Sequence, residues 1–119
     1  METDSKTAKA GTKKTITETN ASNLLWSFPQ MVAHHTVAGC NMGTGDLLGS
    51  GTISGTEKGT QGSLIEASLG GKSPVDIGGG EQRTFLEDGD TIRISGWAGS
   101  EQDGLVGFGD CLGEILPSK

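Results

Sequence analysis

The chain has 119 residues, a formal net charge of −6 at pH 7 and 21 glycines. The length fits a single domain, and the glycines favour many short strands and tight turns. The nine basic residues form no positive stripe, and no apolar run approaches the ~18 residues of a membrane span, so we expect neither a nucleic acid nor a membrane as partner.

The N-terminal segment METDSKTAKAGTKKTITETN mixes lysine with threonine, serine and acids and has few apolar side chains to bury. We predict that residues 1 to about 14 form a solvated tail, and that a disordered or loop segment extends over 1–19. Neither a secretory signal nor a transit peptide is visible in it. Without a secretion signal, Cys40 and Cys111 are predicted to be reduced thiols of a cytoplasmic protein.

The segment NASNLLWSFPQMVAHHTVAG, residues 20–39, has the apolar spacing of one amphipathic helix. Pro29 leaves two alternatives, because a proline in the interior of a helix removes a backbone hydrogen bond. Either the regular helix begins at Ser27 and accepts Pro29 in its first turn, or the helix is kinked at the proline.

After residue 39 the period of the apolar pattern changes to two, and Gly, Asp and Asn interrupt it at short intervals. This pattern predicts short strands. The predicted strands are residues 46–54, 61–69, 73–77, 82–86, 91–97 and 105–116. The acidic stretch Glu87-Asp88-Gly89-Asp90 lacks the spacing of a calcium loop and is predicted to be a turn.

The stretch GDLLGSGTISG, residues 45–55, combines glycines with hydroxyls. In a strand, Ser50, Thr52 and Ser54 would share one face, and the glycines would leave the backbone bare for a ligand to approach. Two interpretations remain open: the hydroxyls bind a small oxygen-rich anion such as a carboxylate, or they are the outward residues of an edge strand. A Walker-type phosphate site is excluded, because no Gly-Lys-Ser or Gly-Lys-Thr follows.

Glu66 lies in QGSLIEASL, where strand alternation would place it on the same face as Leu64 and Ser68. Burial beside Leu64 would raise the pKa of the Glu66 carboxyl. Such a glutamate could orient or polarise a histidine that acts as a general base. The alternative is a solvated acid on the outer face.

His34 and His35 are adjacent, and adjacent residues of a helix do not face each other, so they cannot chelate one ion together. His35 lies on the apolar stripe and is predicted to be a hydrogen-bonded core residue. Trp26 and Trp97 are predicted to be core or subunit-interface residues. The cysteines have no CxxC spacing, so no zinc site is expected.

Four segments together resemble the fumarylacetoacetase family, particularly its fungal forms. They are WSFPQMVAHHTVAGCNMGTGDLLGSGTISG, GSLIEAS, TFLEDGDTIRISG and VGFGDCLGEILP. The match covers about residues 20–117 in order and corresponds to the C-terminal third of the family's proteins. The resemblance implies that 20–119 is part of a catalytic domain with a mainly β (α+β) fold, a mixed β-roll with one N-terminal amphipathic helix, and that the complete enzyme is a homodimer.

The family's activity is hydrolysis of the carbon–carbon bond of 4-fumarylacetoacetate to fumarate and acetoacetate, the last step of tyrosine and phenylalanine breakdown. By the resemblance, Thr52 in GTISG matches the threonine that contacts the substrate, and Glu66 in SLIEAS matches the glutamate that assists the catalytic histidine. That histidine, the ligands of calcium and magnesium, and the oxyanion-stabilising arginine and lysine lie upstream in the family. We therefore expect this chain alone to be inactive and to hold no metal.

Three hypotheses follow. The chain is the C-terminal portion of a fumarylacetoacetase, either a separated piece or a truncated gene model. Alternatively, it is a catalytically inactive β-roll fragment that associates with a full-length partner. The third is a free-standing small-molecule-binding barrel, which only the hydroxyl-lined face supports.

Overall fold

The computed structural model describes residues 13–119 and the backbone of the strand at 2–5. In chain order its elements are β1 (Glu2–Ser5), β2 (Lys14–Thr15), α1 (Phe28–Val37), α2 (Leu64–Ala67), β3 (Val75–Gly78), β4 (Glu81–Arg83), β5 (Asp90–Ser100) and β6 (Gly104–Glu114). A 3₁₀ turn at Ala21–Asn23 precedes α1. Strand residues outnumber helical ones in this part of the chain, so the mainly β fold class is confirmed. The mixed β-roll stays a prediction.

The larger sheet has four antiparallel strands in the order β2, β1, β5, β6. β5 and β6 form a long hairpin, which confirms the strands predicted at 91–97 and 105–116. A bulge between Ser95 and Trp97 shifts the register of this hairpin once. β6 lies at the edge of the sheet, and every residue of it is exposed.

A second, two-stranded sheet pairs β3 with β4, close to the strands predicted at 73–77 and 82–86. Lys14 of β2 and Asp76 of β3 form an ion pair, with 2.6 Å between Nζ and Oδ2. The hydrogen bond from Lys14 lowers the pKa of Asp76. This pair links the small sheet to the larger one.

Arg83 of β4 binds Asp90, the first residue of β5, in a bidentate arrangement. Nε of Arg83 lies 3.0 Å from Oδ2 of Asp90, and Nη2 lies 3.2 Å from Oδ1. Glu81 and Glu87 also contact the guanidinium, at 3.1 and 3.4 Å. The Arg83 side chain is 10% exposed and that of Asp90 is 3% exposed. The hydrogen bonds to Asp90 are the main cause of the raised pKa of Arg83.

The acidic stretch at 87–90 forms the turn that the sequence predicts. Asp90 N donates to Glu87 O at 3.0 Å, and Glu87 N donates to the carboxylate of Asp90 at 2.9 Å. Gly89 has a φ of +93°, a conformation that glycine adopts without strain.

The strands predicted at 46–54 and 61–69 are wrong. Residues 46–54 form no regular element, and Gly51, with a φ of +76°, interrupts any extended run there. Residues 61–69 contain α2, whose N-cap Ser63 accepts a hydrogen bond from Glu66 N at 3.4 Å. A serine followed three residues later by glutamate favours a helix start, and here it outweighs the strand-like alternation.

The predicted solvated tail is wrong for residues 2–5 and for Lys14. The backbone of 2–5 forms β1, which lies between β2 and β5 in the sheet, and Lys14 belongs to β2. Backbone pairing with an open strand edge requires no apolar side chains, which is why composition alone missed it. The same prediction for residue 1 and residues 6–12 lies outside the described residues.

The predicted helix is confirmed in its shorter form, which begins after Ser27. Ser27 Oγ accepts from Gln30 N at 3.4 Å, and Gln30 Oε1 accepts from Ser27 N at 2.8 Å, which together make a capping box. Pro29 therefore lies in the first turn, where the missing N–H costs no helical hydrogen bond.

No residue of α1 is buried by the described part of the chain. His35 is exposed, so its prediction as a core residue is wrong. Trp26 and Trp97 are 62% and 55% exposed, which excludes a core position in this structure and leaves the subunit interface as the prediction. The described residues contain no element that covers the apolar side of α1, so its apolar side chains have no packing partner in this part of the chain.

The core of the described chain is small. Its buried hydrophobic side chains are Leu64 and Ile77, and Thr17, Ser68 and Asp90 are buried polar residues. A globular domain of this length ordinarily buries well over half of the surface of its unfolded chain. Much apolar surface on α1, β5 and β6 is instead left uncovered. Within the described residues, no helix combines the length and the apolar character needed to span a bilayer.

Candidate functional site

The carboxylate of Glu66 lies beside the first turn of α2 and faces the loop that carries Ser54. Ser54 Oγ donates a hydrogen bond to Glu66 Oε2 at 2.8 Å, and Ser63 Oγ donates to the same oxygen at 2.9 Å. Two hydroxyl donors on one carboxylate oxygen restrict the rotamer of an otherwise exposed side chain.

These hydrogen bonds lower the pKa of Glu66, with the bond from Ser54 contributing most and the bond from Ser63 next. Of the two alternatives for Glu66, the solvated acid agrees with the structure and the buried one, with its raised pKa, does not: desolvation is weak for this exposed side chain, and the two donors stabilise the anion. Glu66 is negatively charged at neutral pH, which is the state needed to stabilise a protonated histidine.

The loop between Ser54 and α2 folds back on itself, which brings the serine to the carboxylate. Gly62 N donates to Ser54 Oγ at 3.0 Å and closes the loop next to the helix start. The buried Thr17 also holds this loop, because the single proton of its hydroxyl is shared between the carbonyl oxygens of Gly59 and Gln61. These hydrogen bonds hold the loop in the conformation in which Ser54 contacts Glu66.

Thr52 lies at the start of this loop and is exposed. A Cβ built on Gly62 would lie 2.6 Å from Cγ2 of Thr52, so a larger residue at position 62 would displace the threonine. Gly62 in turn binds Ser54, which binds Glu66. The structure thus brings Thr52 and Glu66 to one loop–helix junction, while their roles in chemistry stay predictions.

The three-hydroxyl face predicted for Ser50, Thr52 and Ser54 is wrong. Ser50 Oγ donates to the neighbouring Gly51 carbonyl at 3.0 Å, whereas Ser54 bonds to Glu66. The positive φ of Gly51 ends the alternation on which the shared face depended. The hypothesis of a free-standing small-molecule-binding barrel therefore loses its only support, the hydroxyl-lined face.

His34 and His35 lie on α1 and do not contact Glu66. Together with Trp26, Met31 and Leu48 they line an open cleft of about 290 Å³ between α1 and the following loop. Neither histidine is placed to work with the carboxylate as a general base.

No group of three or more His, Cys, Asp or Glu side chains that could hold a metal ion occurs among the described residues. Calcium requires six to eight oxygen ligands, and magnesium requires a near-octahedral set. The side chains in the described part of the chain do not fit either ion, and we assign no step to a metal.

The sequence did not lead us to predict two features of the structure. Ser63 was not singled out, although the spacing Ser63-x-x-Glu66 is a recognisable capping pattern. The pairing of Arg83 with Asp90 gave no local signal, because it depends on how the β3–β4 sheet meets β5.

Comparison with known proteins identifies the family. The family described as "Fumarylacetoacetate (FAA) hydrolase C-terminal" matches residues 6–114. The chain belongs to this family. It is 63% identical over 110 residues to the fumarylacetoacetase of Aspergillus fumigatus, with 92% of this chain and 25% of the relative covered. It is 57% identical over 111 residues to the Emericella nidulans fumarylacetoacetase, with 93% and 25% covered.

The human fumarylacetoacetase is 46% identical over 105 residues, with 87% of this chain and 25% of the relative covered. The chain thus spans about a quarter of the length of the fumarylacetoacetases that it matches. What it shares with the family is a C-terminal region that includes both Thr52 and Glu66.

Proposed function

We propose that this chain supplies the C-terminal part of a fumarylacetoacetase active site, and that the complete enzyme hydrolyses the carbon–carbon bond of 4-fumarylacetoacetate. The observation that carries the proposal is the ionised Glu66 carboxylate, held by Ser54 and Ser63. The family of the chain and the names of its relatives support the choice of reaction.

In the proposed mechanism, a histidine outside this chain removes a proton from water, and the anionic Glu66 stabilises the resulting imidazolium. The hydroxide attacks the carbonyl carbon next to the scissile bond. When that bond breaks, its electron pair leaves with acetoacetate as a carbanion, which takes up a proton, and the attacked fragment becomes fumarate. Calcium and magnesium, which the resemblance implies, stay a proposal for residues outside this chain.

The proposed role of Thr52 is to hold a substrate oxygen through its exposed hydroxyl. A chimera, in which this chain replaces the matching region of the Aspergillus fumigatus relative, allows a test. Thr52→Val keeps the shape of the side chain and removes the hydroxyl, so we expect KM to rise about tenfold with kcat little changed. Thr56→Val, in the same exposed loop, is the control and should leave both constants unchanged. A fall in kcat alone would contradict a role in binding.

The chimera also tests the function itself. We expect it to consume fumarylacetoacetate in a steady-state absorbance assay, whereas this chain alone, with calcium or magnesium added, shows no turnover. An inactive but folded chimera contradicts the proposed reaction. Turnover by the isolated chain contradicts the proposal that the water-activating group lies elsewhere.

We propose a cytoplasmic location and a homodimer for the complete enzyme. Free, exposed thiols at Cys40 and Cys111 agree with a reducing compartment. The exposed apolar residues of the β5–β6 hairpin agree with burial against another chain.

A second candidate function is association without catalysis, and one face of the β5–β6 hairpin favours it. Ile94 pairs with Cys111, Ala98 pairs with Val106, and Phe108 contacts the position of Gly96 on the same face. Ile94, Val106 and Phe108 are 53%, 60% and 71% exposed. The opposite face carries the ion pair between Arg93 and Asp110, at 3.0 Å. An uncharged, uncovered apolar face suits a second chain of the same family.

Light scattering coupled to size exclusion tests this association. We expect the wild-type chain to elute as a dimer or larger species and Phe108→Lys to shift it toward the monomer. Gln102→Lys introduces the same charge in the exposed turn between β5 and β6, outside both faces of the hairpin, and should leave the association state unchanged. A monomeric wild-type chain contradicts this candidate.

A further inference from the structure

Two serines from different segments donate to one oxygen of Glu66. Ser54 comes from the loop before α2 and Ser63 from the cap of α2, yet both hydroxyls end on Oε2, at 2.8 and 2.9 Å. We infer that Ser54 and Ser63 are positioning residues that fix the orientation of the Glu66 carboxylate and direct its second oxygen, Oε1, to the imidazole of the catalytic histidine. This inference rests on the proposed function.

The direction of both hydrogen bonds follows from the backbone. A serine hydroxyl has one proton to donate and can accept at the same time. Ser54 Oγ accepts from Gly62 N at 3.0 Å, and Ser63 Oγ accepts from Glu66 N at 3.4 Å. Since each hydroxyl already accepts a backbone N–H, its own proton is free to point at the carboxylate. The serines are therefore arranged as donors to an anion.

The two serine hydroxyls engage one oxygen of the carboxylate. Both of their bonds go to Oε2, and the backbone N–H groups of Ser63 and Gly62 interact with the carboxylate more weakly. Glu66 is exposed, so an imidazole N–H from another part of the enzyme has access to Oε1. A carboxylate that orients a histidine needs one accessible oxygen and a fixed plane, and this arrangement supplies both.

A purely structural role is the competing explanation, because Ser63 caps α2 and Ser54 closes the loop at Gly62. A purely structural role would lower stability but leave kcat and its pH profile unchanged in a folded chimera. The titration of Glu66 in this chain tests whether the two hydrogen bonds exist, and the kinetics of the chimera test whether they matter for turnover.

The first experiment follows the side-chain carboxyl carbon of Glu66 by NMR across a pH titration of the intact chain. We expect the pKa of Glu66 to rise in Ser54→Ala and in Ser63→Ala, because each substitution removes a donor to the anion. Ser54→Thr and Ser63→Thr keep the hydroxyl and should titrate like the wild type. Ser50→Ala is the matched control, since Ser50 donates to Gly51 O and not to Glu66.

The second experiment uses the same variants in the chimera. Each alanine substitution should lower kcat roughly threefold to tenfold with KM unchanged, and the acid limb of the kcat profile should move to higher pH. The sign follows from the chemistry: a more basic carboxylate and its imidazole are protonated at higher pH, so the active form is lost earlier on acidification. The threonine variants should recover most of kcat.

The outcomes distinguish failure of the positioning role of the serines from failure of the proposed reaction. An unchanged Glu66 titration in both alanine variants, with a dispersed amide spectrum showing that they fold, overturns the positioning role whatever the activity. A raised pKa together with unchanged kcat overturns it as well, because the hold of the serines on the carboxylate would then not matter for turnover. If the pKa of Glu66 rises in the alanine variants of this chain, the hydrogen bonds from the serines to Glu66 are supported. If the wild-type chimera is folded but inactive at the same time, the proposed reaction is overturned.

Discussion

Replacing Glu66 by glutamine should lower kcat of the chimera by about 100-fold or more, with KM nearly unchanged. Glutamine has the same shape, and its carbonyl oxygen can still accept from Ser54 and Ser63. The amide nitrogen would then occupy the position of Oε1. An NH2 group can neither accept an imidazole N–H nor stabilise an imidazolium, so the histidine loses its support while substrate binding is kept.

Steady-state assays of fumarylacetoacetate loss measure this effect. Glu57→Gln makes the same chemical change at an exposed residue of the loop before α2 and should leave kcat unchanged. Equal activity of the Glu66→Gln and wild-type chimeras would remove Glu66 from the mechanism. An equal fall in both variants would assign the loss to the loop rather than to the carboxylate.

The second large effect concerns stability. Arg83→Met should lower the free energy of unfolding of the chain by about 3 kcal/mol, because it leaves a buried carboxylate without its cation. Asp90 is 2% exposed and loses both of its hydrogen bonds from the guanidinium. Glu81 and Glu87, which also contact Arg83, would then repel Asp90.

Urea unfolding followed by circular dichroism measures this difference. Arg93→Met is the control, since Arg93 is 34% exposed and its partner Asp110 is 51% exposed, and we expect a loss of about 1 kcal/mol or less. Lowering the pH should recover part of the stability of Arg83→Met, because loss of the guanidinium raises the pKa of the buried Asp90 relative to the wild-type chain and the carboxylate then binds a proton on acidification. Equal losses in the two variants would contradict the structural importance of the buried cluster.

Much of the fold could be predicted where the signal is local. The apolar spacing predicted α1 but left its start open between Ser27 and a kink at Pro29, and the alternation in 91–97 and 105–116 predicted the strands of the β5–β6 hairpin. The predictions failed where alternation was misleading. Residues 61–69 alternate like a strand, but the spacing of Ser63 and Glu66 starts a helix there.

The candidate site shows the same division. Glu66 and Thr52 could be selected from the residues and from the family resemblance. The direction of the pKa shift of Glu66 could not, because it depends on a donor twelve positions earlier, Ser54, which the loop brings to within 2.8 Å of the carboxylate. Strand alternation placed Glu66 on the same face as Leu64 and left open whether it is buried; in the structure Leu64 is buried and Glu66 is exposed.

Composition, spacing and motif are properties of neighbouring residues, and they were sufficient to establish a mainly β chain, a capped helix and a family. The contacts of Arg83 with Asp90 and of Ser54 with Glu66 join segments whose approach depends on turns and sheet edges. The same holds for β1, whose backbone pairs with β5. Such contacts required the folded chain, because hydrogen bonds between distant segments leave no periodic trace in the order of the amino acids.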